Sequence, residues 1–271
     1  MRLGISMILG GAESPGDLVA RRARAAEANG LDSVWFFDSI GRTWPSIDPL
    51  MCVSVAAAVT ERIEVGTGIL QIPLRHPVEL ANRVLTAQLF CGGRLTLGVG
   101  AGSTRDDFEA VDQPYEDRMR LFNDGLATMR RLWDGEIVGT ANLRPVDEVR
   151  GGPPVIIGSW AGPKWIPRAA EEFDGWIASA HFSGYDTLKN GIEAYRAAGG
   201  KRALVTNIGL DLTANTEPLD DANAPYSLHC DLQTAKERLQ RLADLGYDDA
   251  VVVHHGEGEP DFAAIRALLP V

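Results

Sequence analysis

A chain of 271 residues, 45% hydrophobic and 23% charged, is long enough to bury one large core and matches the length of a single α/β barrel. A net charge of −11 argues against a sequence-independent grip on nucleic acid or anionic membrane, and no run reaches the roughly 18 apolar residues of a membrane span. Cys52, Cys91 and Cys230 form no C-x-x-C, which argues against a disulfide framework or a zinc knuckle and fits a reducing cytoplasm.

The opening MRLGISMILGG has one charge and no small-x-small cleavage site, so it reads as a first strand and not as a signal peptide. Strand-like apolar runs recur at Leu3–Leu9, Ser33–Phe37, Ile63–Leu70, Leu95–Val99, Val155–Ile157, Trp176–Ala178, Leu204–Leu212 and Ala250–Val253. Helical patterns lie between them. Ser14-x-x-Asp17 reads as a capping box opening a helix that Gly30 closes. Asp48-Pro49, His76-Pro77 and Gly162-Pro163 place proline at a first helical position, and an amphipathic helix runs from Asp231 to Gly246.

Eight strands alternating with helices predict parallel pairing through right-handed crossovers, and the count favours a closed barrel over an open sheet. No linker divides the chain, so residues 1–271 are expected to form one domain. The irregular stretches Gly135–Gly152 and Thr213–Cys230 are its candidate lids.

In such a barrel the reacting groups sit at the C-terminal strand ends. Those ends read Asp38-Ser39 on strand two, Gly68-Ile69-Leu70-Gln71 on strand three and Gly100-Ala101-Gly102-Ser103 on strand four. Gly158-Ser159-Trp160-Ala161-Gly162 ends strand five, Ser179-Ala180-His181 strand six and His254-His255 strand eight. Gly98, Gly100 and Gly102 in RLTLGVGAGSTRDDF suggest a dinucleotide loop, but Ser103 stands where G-x-G-x-x-G needs its third glycine, and no lysine completes a Walker loop. No H-E-x-x-H, histidine ligand pair or G-x-S-x-G elbow occurs, so metal and serine hydrolase chemistry is not indicated. Glycine-lined strand ends suit a flat cofactor that approaches the backbone and carries its own reactivity.

HPVELANRVLTAQLFCGGRLTLGVGAG (His76–Gly102) resembles the most recognisable segment of the bacterial luciferase-like family, flavin- or deazaflavin-dependent oxidoreductases on a TIM barrel. DRMRLFNDGLATMRRLW, PPVIIGSWAGPKWIPRAAEEFDGW and ERLQRLADLGYDDAVVVH resemble later family segments in the same order. The resemblance implies a single luciferase-like (β/α)8 barrel with a non-proline cis peptide on strand three, here at Gly68–Ile69 or one residue along. It places Gly68, Ile69 and Leu70 behind the cofactor ring and Gly100, Ala101, Gly102 and Ser103 against it. The phosphate falls to Gly158, Ser159, Trp160, Ala161 and Gly162, where backbone N–H groups and a helix start would receive it. Asp38 is expected near the ring as a catalytic and cofactor-binding residue, and His181 is the second catalytic candidate.

Several deazaflavin enzymes of the family carry histidine after this aspartate and glutamate after the strand-four glycines. Ser39 and Ser103 stand there instead, which departs from the sugar-phosphate dehydrogenase branch. The compact length favours coenzyme F420 over FMN, and hence hydride transfer to or from a small organic substrate. An FMN-dependent monooxygenase and a non-catalytic flavin-binding barrel are the alternatives. Family members are often homodimers.

Several residues also have simpler expected roles. Gly98 packs inside the barrel, Trp133 is core, and His181 and His254 are buried and satisfied by backbone. Trp44 and Trp160 are candidate aromatic walls, and Arg42, Arg75 and Lys164 candidate neighbours of an anionic cofactor tail.

Overall fold

The computed structural model describes residues 1–8, 14–41, 47–159, 164–216, 218–222, 224–255 and 258–269. Strands β1 (Arg2–Ser6), β2 (Ser33–Phe36), β3 (Glu64–Gln71), β4 (Leu95–Gly100), β5 (Val155–Gly158), β6 (Gly175–Ser179) and β7 (Arg202–Asp211) pair in sequence, all parallel. A short β8 (Ser227–His229) follows, and β9 (Asp249–His254) lies between β7 and β1, closing an eight-membered ring. β6 pairs with the first half of β7 and β8 with its last three residues.

The short β8 is the departure from the expected count of eight strands. It lies inside Thr213–Cys230, expected to be irregular throughout, because Ser227–His229 finds backbone partners on β7 at Gly209–Asp211. The Gly135–Gly152 stretch carries a 3-10 turn at Asp147–Val149 and an isolated bridge between Val138 and Ala141.

Around the barrel run α1 (Pro15–Ala28), α2 (Pro49–Ala58), α3 (Pro77–Cys91), α4 (Arg105–Glu109), α5 (Arg118–Trp133), α6 (Trp165–Glu172), α7 (Tyr185–Ala197), α8 (Leu232–Asp244) and α9 (Phe262–Arg266). The expected capping box of α1 does not form: with Pro15 in the first turn, Ser14 makes no side-chain cap bond. Asp48 and Asp231 do cap their helices, each carboxylate accepting from two backbone N–H groups. The helix expected from Gly162-Pro163 is described from Trp165, with Lys164 at its N-cap position; residues 160–163 lie outside the described residues.

Two apolar cores result. The larger lies between strands and helices and includes Trp133, fully buried with its indole N–H donating to the Ala81 carbonyl at 3.1 Å. The smaller joins Trp35, Ile156, Ile177, Leu204 and Val251 from five different strands, so it fills the barrel interior. Trp35 fits because Gly66 is bare: a Cβ there would lie 2.4 Å from the indole ring. Gly98 is equally close to β3, where its Cβ would lie 2.0 Å from the Thr67 carbonyl oxygen.

The N-terminal end is closed by charge. Arg2, Glu64, Arg202 and Asp249 begin β1, β3, β7 and β9, and Arg202 binds Glu64 and Asp249 at 2.9 Å each. Arg2 adds ion pairs of 2.5 Å to Glu64 and 3.2 Å to Asp249. The C-terminal strand ends lie at the opposite end, the barrel mouth.

Candidate functional site at the barrel mouth

Asp38 follows β2 and is buried, with both carboxylate oxygens engaged. The Arg75 guanidinium donates to them at 2.6 and 2.8 Å, and the Gln71 backbone N–H donates at 2.9 Å. Burial by itself would lower the Arg75 pKa; the hydrogen bonds and charge of Asp38, with Asp48 behind it, outweigh burial and raise it. This pair is bidentate, which fixes the geometry of both side chains. Arg75, considered for an anionic tail, is thus committed to Asp38.

Gln71 extends the network. Its side-chain amide donates to the Asp38 carbonyl at 2.9 Å and to Asp107 at 3.0 Å. Asp107, fully buried in α4, accepts from the backbone N–H groups of Ile40 and Gly41 at 3.0 Å each. The loop after β2 is thereby pinned to β3 and α4. Gln71 was read only as the last residue of a strand end and Asp107 had no role on sequence grounds, since no letter distinguishes buried Asp107 from exposed Asp106 beside it.

The wall formed by β3, β4 and β5 comes next. The Gly68–Ile69 peptide is cis, at the first of the two positions the resemblance implied. Leu70 is buried, and the half-buried Ile69 side chain projects between two glycines. A Cβ on Gly100 would lie 2.7 Å from Ile69 Cδ1, and one on Gly158 would lie 2.5 Å from Ile69 Cγ2. The bare backbone at these two positions therefore makes room first for Ile69. Gly102 has φ +79°, a conformation that favours glycine, and lies against the Gln71 side-chain oxygen. Ala101 is half-buried, and Ser103 is exposed with its carbonyl accepting from the Tyr115 hydroxyl at 3.1 Å.

Two buried polar atoms on this wall have no partner: Oε1 of Gln71 at the end of β3 and Oγ of Ser159 just past β5. The Ser159 carbonyl accepts from the Trp176 indole at 3.0 Å. Trp160, Ala161 and Gly162 of the expected phosphate segment lie outside the described residues, as do Arg42 and Trp44.

The histidines form the opposite arc. His181, expected to be buried, is exposed just after β6, its ring edge against Phe182. His254 is half-buried with an unpartnered Nε2, beside a cavity of about 430 Å³ that Ser6, Arg22, His255 and Phe262 also line. Burial and the neighbouring imidazoles of His229, His254 and His181 hold His255 below its ordinary pKa, with Asp211 opposing them. His229 carried no signal in the sequence, because it enters the mouth only through the short β8. Among the described residues no group of three or more His, Cys, Asp or Glu side chains could hold a metal ion, and no helix is long and apolar enough to cross a membrane.

Comparison with known proteins places this geometry. The luciferase-like monooxygenase family matches residues 4–208. An uncharacterised protein of Mycobacterium tuberculosis is 32% identical over 196 residues, which span 67% of this chain and 66% of that protein. The F420-dependent hydroxymycolic acid dehydrogenase of the same organism is 28% identical over 65% of this chain and 53% of its own length. Among solved structures, an F420-dependent secondary alcohol dehydrogenase in complex with an F420-acetone adduct superposes with TM-score 0.78 at 17% identity, over 99% of this chain and 98% of that one. The FMN-bound oxygenating constituent of 3,6-diketocamphane monooxygenase from Pseudomonas putida gives the same TM-score and identity over 99% and 96%. The shared architecture, together with a match over residues 4–208, establishes that the chain belongs to the luciferase-like monooxygenase family.

Proposed function

We propose that this protein is a coenzyme F420-dependent oxidoreductase that transfers a hydride between the deazaflavin and a small organic substrate. The observation that carries the reading is the β3–β5 wall, where Gln71 Oε1 at the end of β3, against Gly102, and Ser159 Oγ just past β5 are buried without partners. Unpaired buried polar atoms cost free energy unless a ligand or water satisfies them, so the wall fits a flat ring with polar edges and a phosphate tail. The Gly68–Leu70 and Gly100–Ser103 segments would hold the ring, and Ser159 with the segment after it would hold the phosphate.

The deazaflavin, when bound, accepts or donates the hydride; the chain binds and orients it and handles the accompanying proton. The F420-dependent relative among the matched proteins supports the deazaflavin. Asp38, held by Arg75, acts by positioning the loop after β2. Ser39 and Ser103 offer no strong acid or base, which directs the choice away from sugar-phosphate substrates and towards alcohols and carbonyls.

The FMN-bound structural neighbour motivates the second reading, a flavin monooxygenase. Titration of the purified protein with F420 and with FMN, followed by ring fluorescence, separates the two. Micromolar binding of F420 with hydride transfer to or from a panel of alcohols, enones and imines is expected. FMN binding in the absence of F420 binding would end the deazaflavin reading. Tight F420 binding with no hydride transfer would leave a cofactor-binding barrel without turnover.

A further inference from the structure

Four of the five histidines stand on the β6–β9 arc, and two of them touch. Nε2 of His229 lies 3.2 Å from Nδ1 of His255, with ring centroids 5.3 Å apart. One proton fits between those nitrogens, so one imidazole donates and the other accepts. In the neutral pair the outer nitrogens, His229 Nδ1 and His255 Nε2, are then one acceptor and one donor. Those two roles exchange, with no change in net charge, when one proton enters at the accepting outer nitrogen, the shared proton crosses the gap and the other outer nitrogen gives up its own.

The fold is shaped around this pair. A Cβ on Gly209 of β7 would lie 2.8 Å from His229 Nε2 and 3.1 Å from both Cε1 and Nδ1 of His255. Both rings reach solvent. The titratable groups facing the pair are His254 on β9, His181 after β6 and Asp211 at the end of β7, whose carboxylate is itself held by Thr213. Partial burial and the imidazoles of His229, His254 and His181 disfavour a second proton on His255.

We propose that His229 and His255 form the proton relay of the barrel mouth, acting on an alcohol or carbonyl oxygen of the substrate. This rests on the hydride-transfer reading above. In alcohol oxidation the carbinol carbon gives its hydride to the deazaflavin, and the hydroxyl proton passes to the accepting outer nitrogen. The shared proton crosses to the other ring, which releases its own outer proton to water. Carbonyl reduction runs the same steps in reverse.

The test compares wild type with His229→Gln, His255→Gln and Gly209→Ala. Nitrogen NMR of the five histidines in the cofactor-free protein is expected to show His229 and His255 titrating as a coupled pair. His255 should move up towards its ordinary value in His229→Gln, and Gly209→Ala should uncouple the pair while keeping both imidazoles. Independent titration of the two, unchanged by loss of either partner, would overturn the relay. With F420 and the alcohols and enones of that panel, each glutamine variant should lower the hydride-transfer rate by about 100-fold. Cofactor affinity should stay within about twofold, and added imidazole should rescue the corresponding alanine variants. An unchanged rate, or a rate loss explained by weaker F420 binding, would also overturn it. Wild-type protein that binds F420 but reacts with no panel member overturns the relay together with catalysis. Wild-type protein that does not bind F420 ends the deazaflavin reading, and the NMR coupling then decides the pair's proton sharing alone.

Discussion

Asp38 and Arg75 form a two-pronged ion pair, 2.6 and 2.8 Å long, with 2% and 10% of their side-chain surfaces exposed. Removing one member of a buried pair strands the other charge, which costs more than the pair itself contributes. Asp38→Asn should therefore lower unfolding free energy by about 3 kcal/mol in urea titrations. Pairing it with Arg75→Met should recover part of that loss. A loss well under 1 kcal/mol would mean that Asp48, 3.7 Å from Arg75, suffices as counter-charge.

The interior glycines make a ranked prediction. Gly66→Ala would press on the Trp35 ring, and Gly98→Ala on the Thr67 backbone carbonyl. A side chain can shift where a strand carbonyl in a ladder cannot. Overpacking costs typically run to about 1–3 kcal/mol, and Gly98→Ala should lie at the upper end or beyond, above Gly66→Ala. Thermal unfolding of the two variants gives the order, and the reverse order would contradict this packing.

Acid should act on the floor of the barrel. Burial alone would raise the Glu64 pKa, but its bonds to Arg202 and the charge of Arg2 outweigh burial and hold it below its ordinary 4.5. A depressed carboxylate contributes stability above its unfolded value and loses it as pH falls through the folded one. Urea midpoints should therefore drop below about pH 4.5, and Glu64→Gln should flatten that drop. Asp249 runs the other way, its pKa raised by burial, so Asp249→Asn should not flatten it.

All three thiols are buried, and burial pushes Cys52 up to about 12 and Cys91 to about 11. Cys230 moves in the same direction. Thiolate is the reactive form, so native protein should resist a disulfide reagent such as DTNB until denaturant is added. Rapid release of one equivalent from folded protein would contradict this burial.

Eight strand positions, their parallel order and the closure of the barrel were legible in the sequence, while β8 was not; the cis bond at Gly68–Ile69 was one of two positions implied by the family resemblance. The strands and helix starts follow from local signals: apolar runs of strand length, proline and aspartate at helix starts, and glycines at strand ends. The same letters could not say what fills the space beside a glycine. Gly100 and Gly158 accommodate Ile69, a fact set by the close approach of β3, β4 and β5. Nor could they separate buried Asp107 from exposed Asp106, or bring His229 to His255 across 26 residues of chain. The sequence alone determined the barrel and its glycine-lined mouth, because those depend on periodicity and turn chemistry within short windows. The tertiary structure decided which polar groups are paired and which are left open. Burial and hydrogen bonding between distant strand ends are properties of the closed ring.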